Sequence, residues 1–296
     1  MKKILTVALA VLMLSMTALS FTACGDKNVE LVAVDAEDLL TEDFGIAVKK
    51  GNTALLEKIN AVVDEWIEDG TMQKYIDYYD ALAKNESPDA GDLKLTWDFG
   101  SATETITMYT ESGFAPFEFI KDNNVVGVDV AIMSEVAQRD GKKLEVQDVA
   151  FDTITTSVKS AEGDAVGAAG ITINDERKEE VDFSNIYYSS TLVIVSAKDK
   201  SIGKVADLSG LAVGVQEGTS GDLIISDAKK DAGYSYDDTD EQGNAVTRTV
   251  KVDGSTEVKQ YKQYALALAD LKAGRIDAIL MDKLPAQAML ASSDNQ

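Results

Sequence analysis

Short apolar runs alternate with amphipathic segments from residue 104 towards the C-terminus of the chain. Residues 104–110 and 143–149 are typical of strands. The segments that follow, 129–139 and 151–160, carry apolar side chains at helical spacing. A second series of the same kind runs over residues 205–291. This alternation of strands and helices predicts an α/β fold.

Two helices are also predicted before this series. Residues 53–70 and 71–83 place their apolar side chains on one helical face, which indicates packing against a core. Residues 85–103 contain glycine and proline among polar side chains and are predicted to be a linker. Trp97 and Phe99 within it are expected to dock on a neighbouring surface.

The residue counts exclude several kinds of chemistry. The chain has 296 residues, one cysteine and no histidine. It therefore lacks Ser-His-Asp and Cys-His nucleophile systems, His-ligated metal sites and intrachain disulfides. The net charge of −23 repels phosphate backbones, so nucleic acid is not expected as a partner. No cofactor and no metal ion are expected.

The N-terminal residues have the pattern of an export signal. Lys2 and Lys3 precede a largely apolar run over residues 4–21, and small residues follow before Cys24. This end of the signal resembles the lipobox of bacterial lipoproteins, which implies cleavage after residue 23 and lipidation of Cys24. The alternative is a membrane anchor, because a run of about 18 apolar residues is long enough to cross a bilayer.

Residues 168–184 contain a candidate anion site. Gly170 allows a close backbone approach, and Thr172 offers a hydroxyl group. Arg177 follows Asn174, a residue type that caps helices, so its guanidinium can be held in place to bind a carboxylate with two hydrogen bonds. The alternative is a surface arginine in a run of charged residues.

Several motifs occur together in this chain. They are TMYTESGFAPFEFI (107–120), GVDVAIMSEVAQ (127–138), residues 170–184, VGVQEGTSGDL (213–223) and LADLKAGRIDAILMDKLPA (268–286). Together they resemble the amino-acid-binding family of bacterial extracytoplasmic solute-binding proteins, which supply ABC importers. The resemblance implies a type II periplasmic-binding-protein-like fold, in which a hinge joins two α/β lobes and the ligand cleft lies between them.

The function implied by the resemblance is binding of a polar L-α-amino acid outside the cytoplasmic membrane and its delivery to the permease of an ABC transporter. The protein is expected to be a monomer, anchored to the cell membrane by lipid.

The order of the segments differs from that of the family. Residues 44–79 resemble the C-terminal end of the family, yet here they precede the segment that normally begins the mature protein. The chain therefore resembles a circularly permuted member, with the linker 85–103 as the join. The predicted division is a signal peptide (1–23), a lipidated tether (24–27), a continuous lobe I (44–190) and a lobe II made of 28–40 with 191–296.

The resemblance also implies binding roles for individual residues. Arg177, with Thr172 and the Gly170 backbone, corresponds to the carboxylate clamp of the family. Thr219 and Ser220 begin a predicted helix in the other lobe, where free N–H groups and the helix dipole favour the same anion.

Four further residues correspond to the rest of the pocket. Asp282 matches the partner of the ligand's ammonium group, and its alternative role is to cap the next helix. Glu111, Phe114 and Phe151 match positions that line the side-chain end. For Phe151 the alternative is ordinary core packing, and for Glu111 it is full solvation in a loop.

Two other functions remain open at this point. Some relatives of this architecture are enzymes, so a dehydratase or lyase is an alternative, and without histidine it requires a carboxylate such as Glu111 with a raised pKa. The other alternative is a ligand-sensing module for a membrane receptor.

Overall fold

The computed structural model describes residues 29–39, 41–200, 202–239 and 243–293. The predicted export signal, the tether and Cys24 lie outside the described residues. The helices of the described part are α1 (Thr53–Glu68), α2 (Thr71–Ala83), α3 (Val128–Arg139), α4 (Ile154–Ser160), α5 (Asp175–Glu180), α6 (Ser220–Ala228), α7 (Tyr264–Lys272) and α8 (Lys283–Ser293). In this part of the chain, no helix has the length and apolar character needed to span a bilayer.

The strands of the described part form two large sheets, two pairs and one small sheet. They are β1 (Leu31–Asp35), β2 (Glu42–Phe44), β3 (Ala47–Lys49), β4 (Thr105–Thr110), β5 (Gly113–Phe114), β6 (Glu118–Lys121), β7 (Asn124–Val126), β8 (Lys143–Asp148), β9 (Asp164–Gly167), β10 (Val181–Phe183), β11 (Tyr188–Ser190), β12 (Leu192–Ala197), β13 (Ala212–Gln216), β14 (Tyr234–Thr239), β15 (Ala245–Val250), β16 (Glu257–Tyr261) and β17 (Ala278–Asp282).

One large sheet has the order β10-β3-β9-β4-β8. Strand β4 runs parallel to both β8 and β9, whereas β3 is antiparallel to β9 and β10. Successive side chains of a strand point to opposite faces. Val48 accordingly belongs to the core that contains α1, α2 and α3, and Ala47 belongs to the core of α4. We call this sheet and helices α1 to α5 lobe I.

The other large sheet has the order β1-β12-β17-β13-β16. Strand β12 is antiparallel to both of its neighbours, the edge strand β1 and β17, whereas β13 is parallel to β16 and β17. On β17, Ile279 faces the core shared with α7, and Leu280 faces the core of α6. We call this sheet and helices α6 to α8 lobe II.

Two paired strands connect the lobes. Strand β2 leads from β1 of lobe II to β3 of lobe I, and β11 leads from β10 of lobe I to β12 of lobe II. They pair antiparallel, with Glu42 opposite Ser190. The apolar runs over residues 44–49 and 187–196 are each interrupted in the structure. The reason is that each apolar run supplies two different sheets, so the chain must turn between them.

The predicted linker, residues 85–103, contains no helix and no strand. Trp97 and Phe99 are half-buried against the core of α1, α2 and α3, which confirms their predicted docking. The Trp97 indole N–H donates to Glu135 at 2.9 Å, and the hydroxyl of Tyr75 donates to the carbonyl of Lys94 at 2.7 Å. The linker is therefore fixed along the helical face of lobe I.

Asp129 lies at the start of α3 and is a residue type that often caps helices, but the N-cap residue is Gly127. The Asp129 side chain is fully buried, and its Oδ2 accepts hydrogen bonds from the N–H of Gly170 and the hydroxyl of Tyr187, both at 3.0 Å. The Asp129 carboxylate therefore makes tertiary hydrogen bonds and does not cap the helix.

Candidate functional site: the cleft between the lobes

Eight of the nine residues predicted to bind ligand line one cavity between the lobes. Of these eight, lobe I contributes Glu111, Phe114, Phe151, Gly170 and Thr172, and lobe II contributes Thr219, Ser220 and Asp282. Gln216 of lobe II, which is not one of the nine, completes the lining. The ninth predicted residue, Arg177, borders a neighbouring cavity that shares Phe151. The cavity has a volume of about 10 Å³, on the order of the space that one water molecule needs. An amino acid therefore enters only when the lobes move apart.

Arg177 is held by its own helix and by both lobes. The Asn174 side chain caps α5 by accepting from the Arg177 backbone N–H at 2.8 Å. The guanidinium donates to the carbonyl oxygens of Thr172 at 2.7 Å and Gly218 at 2.9 Å, and it lies 5.4 Å from the ring centre of Phe151. Burial lowers the pKa of Arg177 from its usual value, while the charge of Glu42 opposes this shift.

The start of α6 faces Arg177 from lobe II. Thr219 caps this helix by accepting from the N–H of Asp222 at 3.3 Å, and it donates to the carbonyl of Gln216 at 2.8 Å. The hydroxyls of Ser220 and Thr172 lie 3.4 Å apart across the cleft. The first N–H groups of a helix and its dipole favour an anion at this position.

Asp282 is the last residue of β17, and it is only 5% exposed. Its Oδ1 has no hydrogen-bond partner among the residues that the structure describes. Burial raises the pKa of Asp282 to about 8, with a further contribution from the charge of Glu42. A buried carboxyl group with a free acceptor is the partner that an ammonium group requires.

Glu111 is 3% exposed, so the alternative of a solvated loop carboxylate does not apply to the closed cleft. Its carboxylate accepts from the side-chain amides of Gln216 at 3.0 Å and Gln263 at 2.9 Å, both in lobe II. Burial raises the pKa of Glu111. The two amides are neutral, so the charge of this carboxylate is not compensated by them.

Aromatic rings and a glycine form the wall of the cavity. Gly170 has φ +53°, and a Cβ atom there would lie 2.5 Å from the ring of Phe114. Phe114 is buried among aromatic rings that include Phe44 and Tyr264. Phe151 lines the cavity and also packs against the core of α4.

Glu42 is part of this site, although the sequence analysis does not single it out. It lies on the connecting strand β2, and its Oε2 accepts hydrogen bonds from the hydroxyls of Thr172, at 3.2 Å, and Ser220. Burial raises the pKa of Glu42. The available signal was its position two residues before the apolar run that begins at Phe44 and crosses between the lobes.

The fold and the cleft define a two-lobed binding protein with a small polar site between its lobes. Residues 106–280 match the family of bacterial extracellular solute-binding proteins, family 3. The chain belongs to this family. In the described residues, no group of three or more His, Cys, Asp or Glu side chains is placed to hold a metal ion.

Two relatives illustrate the relationship. The chain is 31% identical over 195 residues to the arginine-binding extracellular protein ArtP of Bacillus subtilis (strain 168), which covers 66% of this chain and 68% of ArtP. It is 30% identical over 192 residues to the ABC transporter arginine-binding protein 1 of Escherichia coli (strain K12), which covers 64% of this chain and 68% of that protein.

Solved structures of arginine-binding proteins also match this chain. The arginine-bound form of truncated ArgBP from T. maritima matches with a TM-score of 0.52 at 32% identity, over 64% of this chain and 79% of that chain. An ancestral arginine-binding protein bound to arginine matches with a TM-score of 0.55 at 32% identity, over 64% of this chain and 75% of that chain.

These comparisons confirm the family and the two-lobed α/β fold that the sequence predicts. They also confirm the predicted general function, binding of an amino acid outside the cytoplasm for a transporter.

Proposed function

We propose that the ligand is an L-α-amino acid with a cationic side chain. The observation that carries this proposal is the buried carboxylate of Glu111, which has neutral amide partners at the aromatic end of the cavity. A guanidinium or ammonium group there would pair with Glu111 and stack on Phe114 or Phe151. The arginine-binding relatives support the same ligand class.

The nine residues predicted from the sequence would contact different parts of the ligand. Its α-carboxylate would lie between Arg177 and the start of α6, near Thr172 and Ser220, and its α-ammonium group would lie at Asp282. This assignment is supported by the free Oδ1 of Asp282 and by the donors around the Thr172–Ser220 gap. Such a ligand contacts both lobes, so binding would stabilise the closed form.

We also propose that the chain is circularly permuted, with lobe I from 44 to 190 and lobe II from 28–40 together with 191–296. Helices α1 and α2 and strand β3 precede the family match in sequence. The two helices nevertheless pack on α3 of lobe I, and β3 lies between β9 and β10 of the sheet of that lobe. The family match begins only at residue 106. Termini that lie at a surface can be rejoined elsewhere without loss of the fold.

The permutation has a direct test. A variant in which residues 29–83 follow residue 293 and the linker is removed restores the segment order of the family. It should unfold in one cooperative transition and bind the same ligand as the present chain. Loss of both properties would contradict the proposed permutation.

The membrane attachment is a separate proposal. Lipidation of Cys24 would hold the protein at the outer face of the cytoplasmic membrane, where it would act as a monomeric binding protein for a permease and not as an enzyme. Metabolic labelling with a fatty-acid analogue should mark the wild-type protein and not Cys24→Ser. Equal labelling of both would contradict the anchor.

A thermal-shift screen of residues 25–296 against L- and D-amino acids tests the proposed ligand class. A compound that binds only the folded protein stabilises it by RT ln(1 + [L]/Kd). L-Arginine and other cationic L-amino acids should raise the midpoint most, and turnover of any of them should be absent. A larger shift with acidic or aliphatic amino acids would contradict the proposal.

A further inference from the structure

Glu42 lies where both lobes and the connecting strands meet. Its carboxylate accepts from Thr172 of lobe I at 3.2 Å and from Ser220 of lobe II. The charges of Arg177 and Asp282 interact with that of Glu42. The hydroxyl groups of Thr172 and Ser220 are also the donors expected to hold the carboxylate of a bound amino acid. A side chain of the protein itself therefore occupies the hydroxyl donors of the anion site.

The neighbouring space allows Glu42 to leave this position. Its side chain also lines a second cavity of about 400 Å³, which is bounded by Leu223 of α6 and Tyr234 of β14. An amino acid that brings its own carboxylate can displace Glu42 towards this cavity. The two carboxylates then exchange places, because both cannot accept from the same two hydroxyls.

A ligand without a carboxyl group does not need this exchange. Glu42 can remain on Thr172 and Ser220 and balance the charge of Arg177, while the amine binds Asp282 and the cationic end binds Glu111. We propose that the cleft also binds amines that correspond to decarboxylated cationic amino acids, with the Glu42 carboxylate in the place of the missing ligand carboxylate. This inference rests on the proposed cationic ligand.

The probe is agmatine, which is arginine without its carboxyl group. Calorimetric titrations compare agmatine and L-arginine on the wild-type protein, Glu42→Ala and Glu42→Gln. Wild type should bind both. Both variants should bind agmatine at least tenfold more weakly, because the positive charge of Arg177 is no longer balanced. Arginine should bind them more tightly than wild type, because no side-chain carboxylate has to be displaced.

Two controls separate this role from a structural one. Glu57→Gln removes a charge from an exposed position on α1, outside both cavities, and it should leave both affinities unchanged. Acetate should restore agmatine binding to Glu42→Ala, because it supplies the missing carboxylate. Melting curves show that each variant is folded, and Glu42→Gln keeps the size of the side chain if Glu42→Ala does not fold.

The possible outcomes are distinct. Arginine binding without agmatine binding to wild type overturns this inference and leaves the proposed function intact. Agmatine binding that is unchanged in both Glu42 variants also overturns it. If wild type binds neither compound, the proposed cationic ligand is wrong, and this inference falls with it.

Discussion

The guanidinium of Arg177 donates to the carbonyl oxygen of Gly218 in the opposite lobe, 2.9 Å away. The same group donates to Thr172 in its own lobe. Arg177 therefore connects the lobes at the place where an anionic ligand group would lie. A ligand carboxylate can replace these carbonyl contacts with a charged pair, which is stronger than a hydrogen bond between a cation and a neutral oxygen.

Removal of the guanidinium should weaken ligand binding strongly. Arg177→Ala should reduce the affinity for L-arginine about 100-fold, or roughly 3 kcal/mol, because the buried ligand carboxylate loses its charged partner. Isothermal titration calorimetry measures the change. Lys178→Ala is the matched control, since this exposed cation lies one residue further along α5 and should not alter binding. Equal affinities of Arg177→Ala and wild type would contradict the assignment of the carboxylate site.

Ligand affinity should rise with pH between 6 and 8. Burial raises the pKa of Asp282 to about 8. An ammonium group favours the charged carboxylate, so Asp282 must lose a proton when the ligand binds. The affinity should therefore fall by up to about tenfold for each pH unit below this value.

Asp282→Asn provides the control for this pH dependence. The variant should bind more weakly at pH 8, and the part of the slope that comes from Asp282 should disappear, although Glu111 has a raised pKa as well. Titrations at several pH values in buffers of different ionisation enthalpy count the released protons. A slope that is the same in wild type and Asp282→Asn would show that Asp282 does not pair with the ligand.

Glu111 should determine the preference for cationic side chains. Glu111→Gln keeps the size of the side chain but removes its charge, so arginine should bind at least tenfold more weakly, whereas L-glutamine should change little. Competition binding with both amino acids gives the ratio directly. Glu179→Gln is a control of the same chemistry at an exposed position. An unchanged arginine-to-glutamine ratio in Glu111→Gln would place the cationic group elsewhere.

Gly170 should be sensitive to a single methyl group. Gly170→Ala combines positive φ with a Cβ only 2.5 Å from the Phe114 ring, whereas Gly141 has φ +68° and nothing within 4 Å of a Cβ. Left-handed backbone costs a non-glycine residue roughly 1–2 kcal/mol. Gly141→Ala should lose about this much stability, and Gly170→Ala should lose clearly more. Denaturant unfolding measures the free energy of unfolding of both variants. Equal losses of stability would show that the Phe114 ring moves aside without destabilising the protein.

Local signals in the sequence were sufficient for most of the elements. The helix over residues 71–83 has the predicted bounds, because its apolar side chains repeat at helical spacing and Gly70 separates it from α1. The cap of α5 by Asn174 was also predictable, since it depends on residues three positions apart. Family motifs identified eight residues that meet in one cavity, although their residue numbers range from 111 to 282.

Features that depend on the tertiary fold could not be predicted in this way. Asp129 has the spacing of a helix cap, but a distant contact with Gly170 and Tyr187 uses its carboxylate. Glu42 belongs to an acidic connecting segment, and only the tertiary fold places Thr172 of lobe I and Ser220 of lobe II against it. In both cases the partner is more than forty residues away, so no local pattern records it.

The most direct test of the central claim is a calorimetric titration of the wild-type protein with L-arginine, L-glutamine and L-glutamate at pH 8. The three ligands share the α-carboxylate and α-ammonium groups and differ in side-chain charge. The account predicts one binding site per chain with arginine tightest and glutamate weakest, because the side chain meets the Glu111 carboxylate. Tighter binding of glutamate than of arginine, or binding of neither, would contradict it.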